Sequence, residues 1–221
     1  MKRALVIGAS GGIGAAVSGE LEARGWAVEG LSRSRDGFDV TDEASVEQGL
    51  GAFKGAFDLV FVATGALVID GAEPEKTIRA VTPKALIDQF ALNAIGPFLV
   101  LKHGLHLLPK DRPATFAALS ARVGSISDNG IGGWASYRTA KAALNQLLHT
   151  AAIELKRSHK EATVLALHPG TVETDFTAKY AGRHKTVPPG EAARNLVDVI
   201  ERAGPAHTGR FFDYAFREIA W

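Results

Sequence analysis

The sequence predicts an α/β fold: one parallel sheet, doubly wound, with helices on both faces. Apolar runs such as Ala4-Leu5-Val6-Ile7 and Leu59-Val60-Phe61-Val62 carry no polar alternation, as expected of strands covered on both sides. These runs alternate with helical stretches along the chain, which is the pattern of parallel strands joined by crossover helices. Glycines, prolines and small polar residues follow the runs, at the strand ends where ligands bind in such sheets. With 221 residues, 46% hydrophobic and 22% charged, the chain reads as a single domain over residues 1–221 with a large core.

About seven strands are expected. The first, residues 4–7, runs into Gly8-Ala9-Ser10-Gly11-Gly12-Ile13-Gly14 and a helix over 15–24. Strand, glycine turn and helix in that order fit a dinucleotide-binding unit. Gly8 takes the tight turn, Gly12 leaves the backbone open to a pyrophosphate, and Gly14 lets the helix pack on the strand. The helix N-terminus offers N–H groups and a positive dipole end to phosphate. Ser10 and Ile13 complete this candidate cradle. The spacing differs from G-x-G-x-x-G, and a plain turn of small residues is the alternative.

Residues 26–31 form the second strand, ending in Ser32-Arg33-Ser34-Arg35. Ser32 stands where NAD-binding units usually place an acid for the adenosine ribose, and Arg33 suits a 2′-phosphate through charge-assisted hydrogen bonds. NADP(H) is therefore preferred over NAD(H), which the site still admits; a solvated basic turn is the alternative. Residues 38–42 read as a short third strand leading into a helix over 44–50, capped by Asp42 or Thr41. Asp39, beside Val40, either meets the adenine edge or is a plain loop carboxylate.

The fourth strand, residues 58–63, ends at Thr64-Gly65, a pair small enough for a cofactor to cross, and 66–83 reads as surface loop. A helix over 83–108 contains Asn93 and should bend or break at Gly96-Pro97; a polar amide on its inner face needs partners. The fifth strand, 115–120, leads through Ser120 and Ser125 to a loop and a helix over 134–157. The sixth, 162–167, exits through Pro169-Gly170-Thr171-Val172-Glu173-Thr174. Residues 175–189 lack periodicity and read as a mobile lid or a disordered loop. A helix over 191–203 and a strand over 210–214 close the chain.

On the helix over 134–157, Tyr137 and Lys141 lie one turn apart on one face. A phenol alone has a pKa of about 10, and a neighbouring ammonium favours the phenolate and lowers it. Such a pair can act as a general acid or base, although a lone Tyr-x-x-x-Lys is more often a surface Tyr beside a solvated Lys. Other chemistries find little support. The net charge is +1 with scattered basic residues, so neither nucleic acid nor anionic membrane is an expected partner. The absence of cysteine excludes disulfides, thiolate metal sites and a Cys nucleophile. His103 and His106 share a helix face without a carboxylate at a suitable spacing for a metal. The first apolar run is too short for a signal peptide or a membrane span, and a cytoplasmic location is expected.

Taken together, Gly8-x-x-x-Gly12-x-Gly14, Asp39, Asn93, Tyr137-x-x-x-Lys141 and Pro169-Gly170-x-Val172-x-Thr174 resemble the short-chain dehydrogenase/reductase family in order and spacing. Pro74-Glu75-Lys76, Asn93-Ala94-Ile95-Gly96-Pro97 and Gly209-Arg210-Phe211-Phe212-Asp213 look like the branch containing C-factor and sniffer-type carbonyl reductases. The resemblance implies a Rossmann fold and a small-molecule carbonyl or alcohol substrate. It implies Tyr137 as acid/base, Lys141 holding the nicotinamide ribose and lowering the Tyr137 pKa, Asn93 anchoring a water on the proton path, and Val172 and Thr174 holding the carboxamide. It also implies a homodimer or homotetramer that packs the helices bearing Asn93 and Tyr137 against a neighbour.

Three positions depart from the family pattern. Ile7 replaces a common Thr, and Val62-Ala63-Thr64-Gly65 replaces the usual Asn-Asn-Ala-Gly. Ala121 occupies the position of the substrate-orienting Ser, with Ser120 and Ser125 as candidate replacements. Losing one such donor costs about 10²–10³ in rate, so the rival reading is a nucleotide-binding signalling or sensor protein with vestigial chemistry. The substrate pocket is expected from residues 66–82, 125–134 and 175–189, where Trp134 and Phe176 suggest apolar walls or simple packing.

Overall fold

The computed structural model describes residues 1–174 and 186–221. Its strands are β1 (Arg3–Ile7), β2 (Ala27–Leu31), β3 (Leu59–Val62), β4 (Ala114–Leu119), β5 (Ala162–His168) and β6 (Arg210–Asp213). They form one sheet in the order β2-β1-β3-β4-β5-β6, with every pairing parallel. The strand order reverses beside β1, which opens a crevice at the carboxyl ends of β1 and β3.

Alternation within the strands divides the core in two. Leu5, Ile7, Val60, Val62, Phe116 and Ala118 face one cluster, and Ala4, Val6, Leu59, Phe61, Ala117 and Leu119 face the other. The first cluster is covered by helices α3 (Glu43–Gly51), α5 (Gly96–Gly104) and α6 (Ala135–Leu155), and the second by α1 (Gly12–Ala23) and α7 (Pro189–Arg202). Burial on both faces is why the strands read as unbroken apolar runs.

Among the described residues the sheet has six strands, not about seven. Residues 38–42 pair with no neighbour because local hydrogen bonds occupy the groups a ladder would use. The amide of Asp39 donates to Ser45 Oγ (3.0 Å), and the amide and hydroxyl of Thr41 donate to Asp39 Oδ1 (2.9 and 2.7 Å). Asx-type turns of this kind compete with strand pairing. Phe38 and Val40 still fill the core. Asp42 caps α3 by accepting from the Ala44 amide at 3.0 Å. Between β2 and this turn lies a single helical turn that the sequence reading missed, α2 (Arg33–Asp36), capped by Ser32 Oγ.

Helix α4 (Pro83–Phe90) continues through a π turn (Ala91–Ile95) into α5. The break expected at Gly96-Pro97 therefore takes the form of a local change of winding. Proline has no N–H for the carbonyl four residues back, here that of Asn93, and the chain instead bonds Gly96 N to Ala91 O, five residues back. The whole run Pro83–Leu107 is long and apolar enough to cross a bilayer. It is a core element: Asn93, Ala94, Gly96, Pro97, Val100 and Leu101 are buried.

Candidate active site

Because all six strands are parallel, the segments that follow β1 to β5 emerge on the same edge of the sheet. The first is the glycine loop. Gly8 has φ +87°, and its amide donates to the Leu31 carbonyl at 2.8 Å. A Cβ at Gly14 would run into the Gly8 carbonyl oxygen, so only glycine lets α1 sit this close to β1. Gly11 precedes α1 without a side-chain cap, and no acid stands in the first turn. The amides there are left for an anion.

Around this loop the expected cofactor residues do gather. Ser34 Oγ donates to Ser10 Oγ at 2.9 Å, tying α2 to the glycine loop. Ile13 packs on the cluster beneath α1. Ser32 is buried, and its amide and hydroxyl donate to Asp36 Oδ2 at 2.7 and 3.2 Å; Arg33 lies exposed at the start of α2. Asp39 is held by Thr41, and those hydrogen bonds keep its carboxyl below the usual range. Val40 is buried against Gly96. After β5, Pro169 and Val172 are buried and Gly170 takes φ +81°. The segment returns to the glycine loop, where a Cβ at Gly12 would lie 2.6 Å from Thr174 Cγ2.

The second cluster lies at the ends of β3 and β4. The Asn93 side chain clamps the backbone of Ala66, accepting from its amide (3.2 Å) and donating to its carbonyl (2.9 Å), and it also donates to Gln89 Oε1 (2.7 Å). Gly65 is wedged against it: a Cβ there would lie 2.6 Å from Asn93 Oδ1 and 3.5 Å from Lys141 Nζ. Lys141 is buried and its Nζ donates to the Leu119 carbonyl at 2.9 Å. That amine lies 5.8 Å from the centre of the buried Tyr137 ring. Thr64 Oγ1 is buried without a protein partner. Gly124 lets the segment after β4 touch α6, since a Cβ there would lie 2.8 Å from Lys141 Cβ.

Burial shifts both members of the Tyr137–Lys141 pair. Burial pushes the Tyr137 phenol up from its ordinary value, and burial lowers the Lys141 amine to about 7. Desolvation disfavours each charged form.

The two candidate serines are engaged elsewhere. Ser120 Oγ donates to Asn145 Oδ1 (2.6 Å) on α6, and Ser125 Oγ donates to the Ala220 carbonyl (2.6 Å) near the end of the chain. Residue 121, at the start of the 3₁₀ turn Arg122–Gly124, is half-buried. His103 and His106 serve local roles, one against Glu43 Oε1 (2.8 Å) and one on the His103 carbonyl (2.8 Å).

Two residues at the site went unread in the sequence. Glu75, in what looked like a surface loop, is buried: its carbonyl accepts from the Trp134 amide (2.5 Å) and its Oε2 from Ser136 N (3.3 Å). Arg138 holds the carbonyls of Val123, Gly132 and Gly133 at 3.2, 3.2 and 2.9 Å. Pro74-Glu75 marked the first; no signal in the sequence pointed to the second. These contacts join two of the expected pocket segments. Residues 175–185 of the third, Phe176 included, lie outside the described residues.

A glycine cradle at the switch point, beside a buried Tyr and Lys one helical turn apart, is the arrangement expected of a dinucleotide-dependent oxidoreductase. Comparison with known proteins agrees: residues 36–184 match the short chain dehydrogenase family, and the chain belongs to it. It is 31% identical over 227 residues to 1-hydroxy-2-glutathionyl-2-methyl-3-butene dehydrogenase of Rhodococcus sp. (strain AD45), covering 96% of each chain. It is 38% identical over 132 residues to C-signal of Myxococcus xanthus, covering 60% of this chain and 76% of that one. Among solved structures, a short-chain dehydrogenase/reductase from Burkholderia multivorans with bound NADP superposes with a TM-score of 0.81 at 25% identity, covering 100% of this chain and 99% of that one. Carbonyl reductase Sniffer of D. melanogaster shares the fold with a TM-score of 0.80 at 22% identity, covering 100% of both chains. The likeness to C-signal agrees with the placement beside C-factor-type proteins.

Proposed function

We propose that the chain is an NADP(H)-dependent oxidoreductase that interconverts a carbonyl and an alcohol, with Tyr137 as the acid/base. The observation that carries this reading is the convergence of Gly65, Asn93, Lys141 and Tyr137 beside the glycine cradle. The cradle fits a dinucleotide: the uncapped first turn of α1 would face its phosphate, and Thr64 Oγ1, buried without a protein partner, is left to hydrogen-bond a ligand. The similar Burkholderia protein binds NADP, and exposed Arg33 suits its 2′-phosphate. When bound, the nicotinamide supplies or accepts the hydride. Tyr137 holds the substrate oxygen and gives its phenolic proton as that oxygen gains charge. Lys141, Pro169, Gly170, Val172 and Thr174 hold and orient the dinucleotide, and Asn93 fixes the backbone at Ala66.

The partner is a small carbonyl or alcohol. A homodimer or homotetramer is proposed with it, supported by Ile87, Ile95 and Ile153, exposed on the helices that bear Asn93 and Tyr137. A cytoplasmic location is retained as part of the same proposal. Tyr137→Phe should lower turnover by about 10²-fold or more while leaving NADPH affinity within a few-fold. Full turnover in that variant would refute the assigned role.

One observation favours a second reading. With Ala121 in the serine position and Ser120 and Ser125 engaged elsewhere, the site suits a nucleotide-binding sensor with weak chemistry. NADPH binding without turnover across a broad panel of aldehydes and ketones would select it.

A further inference from the structure

The approach to α6 contains three consecutive residues in the left-handed region: Gly132 (φ +72°), Gly133 (φ +68°) and Trp134 (φ +54°). Glycine adopts this conformation freely, whereas a residue with a Cβ is strained there. A third glycine would have completed the turn without strain, yet the chain places its bulkiest side chain at that point. Strain of this kind persists only where the surroundings over-determine it, and it gathers at ligand-binding sites.

Two charged side chains do the fixing. Buried Glu75 receives the Trp134 amide on its carbonyl (2.5 Å) and the Ser136 amide on Oε2 (3.3 Å). Arg138 Nε and Nη2 donate to the Gly133 and Gly132 carbonyls (2.9 and 3.2 Å), and Nη1 to Val123 (3.2 Å). The result is an indole held edge-on to the Tyr137 ring, with centroids 6.4 Å apart and planes at 71°. The indole is half-buried, and the Tyr137 ring it packs against is buried. Arg138 is turned to backbone carbonyls and Glu75 Oε2 to the Ser136 amide, while Glu75 Oε1 is buried without a hydrogen-bond partner.

We propose that Trp134 is a specificity-determining residue, a rigid wall that selects carbonyl substrates carrying an aromatic or other flat apolar group next to the reacting carbon. The inference rests on the assignment of Tyr137 as acid/base. A substrate oxygen on the phenol brings its carbon substituent alongside the indole, where a planar group gains stacking or edge contact. The strained turn fixes the indole in advance, so no ordering of the wall is required on binding.

The test compares wild type with Trp134→Gly, Trp134→Ala and Trp134→Phe. The probes are 4-nitrobenzaldehyde and butanal as substrates with NADPH, and calorimetric binding of 4-nitrobenzyl alcohol to the NADP⁺-loaded protein. The ratio of kcat/KM for the aromatic over the aliphatic aldehyde should fall about tenfold in the Gly and Ala variants and recover in the Phe variant. Trp134→Gly, which relieves the backbone strain, should melt no lower than Trp134→Ala. An unchanged ratio in all three variants would overturn the proposal while leaving the oxidoreductase reading intact. If wild type reduces neither aldehyde, that reading fails by itself, and the binding measurement decides for the wall. Weaker binding of the aromatic alcohol in the Gly variant upholds it; equal binding, or none in wild type, overturns it.

Discussion

Replacing Lys141 by methionine should reverse its effect on stability with pH. The amine is buried, donates to the Leu119 carbonyl at 2.9 Å, and titrates near 7 instead of 10.5. Below pH 7 both folded and unfolded chains hold the proton, and the folded state carries the whole cost of the buried charge. That cost is about 5 kcal/mol, from three to four pH units at about 1.4 kcal/mol each. Between pH 7 and 10.5 only the unfolded chain stays protonated, so stability rises with pH by about 1.4 kcal/mol per unit. Methionine removes the charge and fills similar space, but it leaves the Leu119 carbonyl without its donor, a loss of about 1–3 kcal/mol. Lys141→Met should therefore be more stable than wild type by about 2–4 kcal/mol at pH 6, with the advantage vanishing between about pH 8.4 and about pH 9.8. Urea denaturation of both proteins without cofactor, from pH 6 to 9.5, reads the difference; other titrating groups cancel because both chains share them. Curves that stay parallel across that range would refute the reasoning.

Other expectations follow from the same geometry. Gly14→Ala drives a Cβ into the Gly8 carbonyl, so α1 must shift off β1; a loss of about 1–3 kcal/mol should show in denaturation, with a large drop in NADPH affinity in a fluorescence titration. Arg33→Ala should weaken NADPH at least tenfold more than NADH, since a charge-assisted pair to phosphate contributes about 1.5–3 kcal/mol; equal losses would remove the 2′-phosphate assignment. Ala121→Ser restores a hydroxyl at the position the family pattern reserves for it and should raise kcat by about 10-fold or more; unchanged turnover would show that the substrate oxygen is already served from elsewhere.

Local signals in the sequence sufficed where one element decides its own shape. The glycine loop and α1 follow from Gly8, Gly12 and Gly14, and α6 lies within two residues of the helix read from its apolar spacing. Residues 38–42 misled because their apolar side chains do enter the core, while Asp39 and Ser45 take the amides that a strand would share. Glu75 was illegible because its partners at Trp134 and Ser136 lie about 60 residues away. The fates of Ser120 and Ser125 depend on Asn145 and Ala220, contacts that only folding creates. The raised phenol is likewise a consequence of burial, which the spacing of Tyr137 and Lys141 does not encode.

The π turn of Ala91–Ile95 amounts to one surplus residue inside an otherwise regular rod. Each residue advances a helix by about 100°, so the surplus sets the phase of everything on one side against everything on the other. On one side Gln89 must reach the Leu67 carbonyl; on the other Gly96 must nestle against Val40, where a Cβ would lie 2.8 Å from Val40 Cγ2. Excising one residue would give a straighter, better-wound rod that could satisfy either docking but not both. This stretch of chain is thus indexed by length as much as by composition, and it should tolerate substitutions that a single deletion would not match.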